Sequence, residues 1–142
     1  MILLSYLNFF ALLLLSLLHF HWGLGGDWGF ESALPTNDEG ERVLNPKPLD
    51  SLVVGFGLML FASFHLIRTG IVELPLPNWM MHSGLWMIGG IFLLRAMGDF
   101  KYIGFYKKVT ATPFAEKDSK FYSPLCLGIG VVAVIIEILM IN

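Results

Sequence analysis

The sequence predicts an all-α integral membrane protein, a four-helix bundle with two long loops on one side, and three observations carry that prediction. Four apolar runs approach the length of a bilayer crossing, the charges crowd into the segments between them, and the chain is too apolar for a soluble domain of its size. Of its 142 residues 56% are hydrophobic and 14% charged, with a mean hydropathy of +0.70, more apolar and less charged than a typical globular chain. One membrane domain over residues 1–142 is the natural organisation.

A helix crossing hydrocarbon needs roughly 20 mostly apolar residues, because every backbone amide and carbonyl must be satisfied inside the segment. The first predicted span covers residues 2–22, the second 51–67, the third 79–94 and the fourth 122–140. The second and third are short, so they stand nearly upright or borrow flanking aromatics. The first run has no basic n-region and no small-x-small cleavage site, so it reads as a retained anchor rather than a signal peptide.

Four spans put both termini on one side, and the loops 23–50 and 95–121 together on the other. Arg42, Lys47, Arg95, Lys101, Lys107, Lys108, Lys117 and Lys120 lie on the long-loop side, against Arg68 alone on the opposite side. The positive-inside bias therefore predicts cytoplasmic long loops and outside termini in a cell membrane. The loop 23–50 carries Pro35, Pro46 and Pro48 and the polar run TNDEGER, a water-exposed turn region without a core of its own. No internal repeat and no strict G-x-x-x-G occurs in the spans, although glycines at 84, 89, 90, 128 and 130 permit close helix approach.

Several functions are excluded at this level. The net charge of -2 and the absence of a long basic tract remove the electrostatic footprint of a nucleic-acid binder. A single cysteine, Cys126, can form neither an intrachain disulfide nor a thiolate metal cluster. No residue pattern specifies a metal, a cofactor or an oligomeric state.

The segment HFHWGLGGDWG, His19 to Gly29, closes the first span. It lacks the strand–G-x-G-x-x-G–helix context of a nucleotide loop, since Trp28 stands where a glycine is required. His19 and His21 lie about 200° apart around a helix, so one helix cannot aim both at a single metal. Trp22 and Trp28 suit the headgroup level, and Gly23, Gly25 and Gly26 suit a helix stop. His19 remains, one turn inside the apolar run, and an intramembrane ionisable group is a functional suspect.

The third span delivers Arg95 and Asp99 to the same membrane face, at an i, i+4 spacing that suits an ion pair. The following FKYIGFYKK, Phe100 to Lys108, mixes aromatics with lysines and is expected to lie in the interface, rings in the acyl boundary and ammonium groups on anionic lipid. Trp22, Gly25, Gly26, Trp28, Phe100, Tyr102, Lys107 and Lys108 are the candidate ligand-binding positions. At the other end His65 and His82 fall in one leaflet on neighbouring helices, where they could clamp a haem, and Glu137 is expected to reach water or pair with Arg68.

The pattern His19-x-x-Trp22-x-x-Gly25-Gly26-x-Trp28-Gly29, with Ala33-x-Pro35 and Arg95-Ala96-x-Gly98-Asp99-Phe100-x-Tyr102-x-Gly104-Phe105, resembles a family of small bacterial four-span membrane proteins catalogued as domain of unknown function 3995. The likeness continues through Thr112-x-Phe114-Ala115, Asp118 and Tyr122-Ser123-Pro124-Leu125-Cys126-Leu127. It implies a four-helix membrane protein whose motifs gather at one face, and it implies no activity. His65 and His82 match none of its motifs, which disfavours haem as a shared property.

The first functional reading is a non-enzymatic bundle that binds lipid or a partner protein through a cap made by the long loops. The alternative is a membrane-embedded enzyme or carrier for a lipid-like or quinone-like small molecule. In it His19 is acid or base, Arg95 the clamp for an anion or carbonyl, and Asp99 the group that orients either. A haem-binding bundle through His65 and His82 is the third.

Overall fold

The computed structural model describes residues 1–142. Its helices are α1 (Ile2–Gly23), α2 (Pro48–Arg68), α3 (Asn78–Met97), α4 (Pro113–Lys117) and α5 (Ser123–Ile141), with a 3-10 turn at Glu31–Ala33 and a π turn at Asp118–Tyr122. The only β pairing is an isolated bridge between Thr36 and Arg42. Four helical segments are long and apolar enough to cross a membrane, the fourth running from Pro113 through the π turn to Ile141. The chain is a multi-pass four-helix membrane bundle.

The two short spans lengthen at their polar ends. α2 begins at Pro48 rather than Ser51, because proline suits the first helical turn and the Asp50 carboxylate accepts from the Lys47 backbone N–H at 2.7 Å. α3 continues past Leu94 to Met97, carrying Arg95 on its last turn. Beyond each apolar run the helix can continue, because polar residues near a membrane surface cost far less than in hydrocarbon.

α1 is packed inside out compared with a soluble helix. Ser5, Asn8, Leu12 and Ser16 are its buried residues, while Leu3, Leu7, Phe10, Leu14 and Leu17 are exposed. Lipid tails solvate leucine as well as protein does, so small and polar residues take the helix interfaces, where they permit close approach and hydrogen bonds. The Ser16 hydroxyl accordingly donates to the Gly55 carbonyl on α2 at 2.6 Å.

α1 pairs with α2 and α3 with α5, and a core of Leu12, Leu58, Ala62, Leu85, Ile88, Phe92, Ile129, Ala133 and Ile136 fills the seam. α3 and α5 touch backbone to backbone at Gly89 and Gly130. A Cβ on Gly89 would stand 3.1 Å from the Gly130 carbonyl, and one on Gly130 3.0 Å from the Gly89 carbonyl.

Two polar links cross between the hairpins away from the long loops. Asn8 Nδ2 on α1 donates to the Ile129 carbonyl on α5 at 3.0 Å and reaches His65 Nε2 on α2 at 3.1 Å. His65 Nδ1 lies 2.8 Å from the Phe61 carbonyl, which can only accept; the proton therefore sits on Nδ1, and Nε2 accepts from Asn8. One turn further on, Arg68 grips Glu137 with two hydrogen bonds of 2.9 Å, and Glu137 is fully buried.

Candidate functional site

The opposite end is closed by a cap made from the two long loops, which meet where the Tyr122 hydroxyl donates to the Ser32 carbonyl at 3.0 Å. Its electrostatic centre is Asp118, in the π turn and fully buried. Oδ1 accepts from Arg95 Nη2 at 2.9 Å. Oδ2 accepts from the Gly104 amide at 2.8 Å, Ser123 Oγ at 3.1 Å and Lys107 Nζ at 3.2 Å. Lys107 also donates to the Gly104 carbonyl at 3.0 Å and to Ser119 Oγ at 2.6 Å.

The geometry corrects two expectations. Arg95 does not pair with Asp99, because α3 stops two residues after Arg95 and Gly98, at φ +88°, turns the chain away before a further helical turn can form. A Cβ at Gly98 would collide with the Ile103 carbonyl, so the turn admits only glycine. Lys107 does not reach lipid: its side chain is 2% exposed and is spent on Asp118. A lysine enters such a place because the carboxylate and two further acceptors satisfy all three of its protons.

Asp99 caps its own loop instead. Its Oδ1 accepts from the backbone N–H groups of Lys101 at 2.9 Å, Tyr102 at 2.8 Å and Ile103 at 3.0 Å. Partial burial alone would raise its carboxyl, but these amides outweigh it and hold the group below the ordinary carboxylate range.

His19 forms no hydrogen bond with Arg95 or Asp99. Its Nδ1 donates to the Leu15 carbonyl at 2.8 Å and its ring meets Trp22 edge-on at 4.9 Å. HFHWGLGGDWG folds as a helix stop. α1 ends at Gly23, Gly25 takes φ +97°, and the Trp22 indole N–H closes the turn onto the Trp28 carbonyl at 2.8 Å. The space beside Gly26 holds the His21 ring. Trp28 is 74% exposed, as a headgroup anchor would be.

A cleft of about 360 Å³ opens between the first loop and α4, bordered by Glu31, Leu34, Thr36, Phe114 and Lys117; a second lies at the Arg68–Asn78 connection, and neither is lined by His19, Arg95 or Asp99. No three His, Cys, Asp or Glu side chains converge as a metal site. Both ring nitrogens of fully buried His65 are engaged, and His82 is exposed with its Nδ1 on the Asn78 carbonyl. The axial haem pair is not assembled, since neither nitrogen of His65 is free to ligate. Glu137 takes the Arg68 option.

The matching family model is described as Protein of unknown function (DUF3995) and covers residues 12–133. The chain belongs to that family. No curated protein and no solved structure matches it.

The match runs from the middle of α1 into α5 and includes the whole cap. Asp118 and Ser123, the residues of this DUF3995 protein that organise the cap, carry no signal in local periodicity. Asp118 is one acid among lysines, and Ser123 one hydroxyl at the start of an apolar run. Asn8 is similar, but a lone amide within apolar α1 does carry a signal, the cost of burying it.

Proposed function

We propose that this protein is a non-enzymatic membrane bundle whose preformed cap holds lipid or a partner protein at the membrane surface. One observation carries the reading: most of the charged groups of the cap are engaged with one another or with its backbone, Arg95 Nη1 alone being buried without a partner. Arg95, Lys107 and Ser123 converge on Asp118, and one oxygen of Asp99 accepts from three backbone amides. Catalytic sites leave an acid, a base or a clamp facing a cavity; here the charged groups build a rigid platform. The excess of lysines on the cap side supports a cytoplasmic cap and outside termini.

The alternative, an enzyme or carrier for a lipid-like molecule, draws on His19, whose Nε2 has no partner within the protein, and on Arg95, whose Nη1 is buried without one. The deciding experiment incubates purified protein with its co-purified small molecules and follows them by mass spectrometry, for the wild type and for His19→Ala. The non-enzymatic reading expects no chemical change with either. A molecule converted by the wild type but not by a His19→Ala variant of unchanged thermal stability overturns it.

A further inference from the structure

The loop that leaves α3, Gly98 to Val109, is folded as a compact finger. Asp99 gathers three amides at its base, the Phe105 amide donates to the Ala96 carbonyl at 2.8 Å, and the amides of Lys108 and Val109 both donate to the Lys101 carbonyl, at 3.0 and 2.9 Å. The last pair of bonds brings the backbones of Lys101 and Lys108 side by side. From beneath, buried Lys107 and the Gly104 amide fasten the finger to Asp118.

What the finger shows outward is apolar and cationic. Phe100 is 53% exposed and Tyr106 64%, with ring centroids 6.3 Å apart, and Lys101 and Lys108 are exposed beside them. Asp99 is the only acid between Gly98 and Val109, and one of its oxygens is committed to the loop's own amides. Phe100 is the only non-glycine residue of the protein with positive φ, at 63°. A bulky side chain there is strained, and relief by glycine is one substitution away. Burial does not explain the choice of phenylalanine, because the ring is in the open.

Placement supplies the occupant. The finger starts one residue beyond a membrane-spanning helix, at headgroup depth, where exposed aromatic rings enter the acyl boundary and lysines meet phosphate. The neighbouring first loop cannot play this part, since Asp27, Glu31, Asp38, Glu39 and Glu41 outnumber Arg42 and Lys47.

We propose that the Gly98–Val109 finger is a binding site for an anionic phospholipid, Lys101 and Lys108 holding the headgroup phosphate while Phe100 and Tyr106 enter the acyl boundary. The site rests on the lipid-holding reading of the cap given above and names its ligand class.

The test is native mass spectrometry of the full chain released from micelles doped with phosphatidylglycerol or phosphatidylcholine of equal acyl length. The wild type retains phosphatidylglycerol preferentially, and Lys101→Gln/Lys108→Gln removes that preference. Each near-surface lysine contributes roughly fivefold, so the pair contributes about 25-fold. Lys117→Gln/Lys120→Gln, the same charge change elsewhere on the cap, leaves the preference intact. Phe100→Gly relieves the strained backbone, so its melting temperature stays level or rises while retention of both lipids falls; a purely structural role for Phe100 would not separate these readouts. Equal retention of the two lipids by the wild type, or an unchanged preference in the Lys101→Gln/Lys108→Gln variant, overturns the site. Turnover of a co-purified molecule would instead overturn the non-enzymatic reading and leave lipid selectivity as a separate result.

Discussion

At the cap, one carboxylate draws in Arg95, Lys107, Ser123 and the Gly104 amide, all from α3, α5 and the segment between them. At the far end, Glu137 meets Arg68 alone, and that pair joins α5 to α2 across the seam between hairpins. Both carboxylates are fully buried. The first fastens a loop to the end of α3; the second, with Asn8 and His65, links the two hairpins. In hydrocarbon, burying apolar surface gains little, so close packing and interhelical polar pairs together set how helices meet.

The comparison breaks most readily at Asp118. Asp118→Ala leaves two cations without their partner, and removing one member of a buried charge cluster costs about 4 kcal/mol. Hydrogen exchange should show the Gly98–Tyr122 backbone losing protection while α1 and α2 keep theirs. Loss that spreads evenly over all helices would mean that the cap network is not local.

Glu137→Ala should cost about 3 kcal/mol by the same reasoning, yet its signature differs. Distances between spin labels on α2 and α5 should broaden, with the cap unaffected. Arg68→Met with Glu137→Leu sharpens the point, because replacing both charges by apolar groups is commonly neutral or stabilising. That double variant should recover thermal stability in lipid while keeping the broadened distances if the pair serves register. Recovery of both would reduce the pair to ordinary packing.

Asn8→Ala should be milder, about 1 kcal/mol, in line with interhelical hydrogen bonds in membranes. Thermal unfolding in one detergent, run beside the Glu137 variants, ranks the two links; a loss larger than that of Glu137→Ala would reverse their order.

The smallest effect belongs to Asp99, which is exposed. Its carboxyl is held below the ordinary carboxylate range, so the stability it contributes is complete at neutral pH and is lost as acidification passes through its folded value. Asp99→Asn should therefore be less stable than the wild type at neutral pH, and the gap should close in strong acid. A gap that stays constant with pH would show that the loop needs an acceptor there but not a charge.

Much of the fold was legible because span length and hydropathy are local properties. Four apolar runs located four helices to within a few residues, and tryptophans beside glycines marked where α1 stops. The candidate site was legible only as a neighbourhood. His19, Arg95 and Asp99 share a membrane face and, for the last two, a helical spacing; the helix that this spacing requires ends at Met97. Lys107 looked like one more interfacial lysine beside Lys108, and nothing in the local pattern separates the buried one from the exposed one.

By itself the sequence determined that four helices must thread a membrane and that the aromatic, glycine and lysine motifs must emerge together. Satisfying backbone amides in oil depends on each segment alone. Tertiary structure decided which charge meets which. Asp118 lies 23 residues from Arg95, and they touch only because Gly98 turns the chain, Gly104 closes it and the π turn carries the carboxylate back over the end of α3.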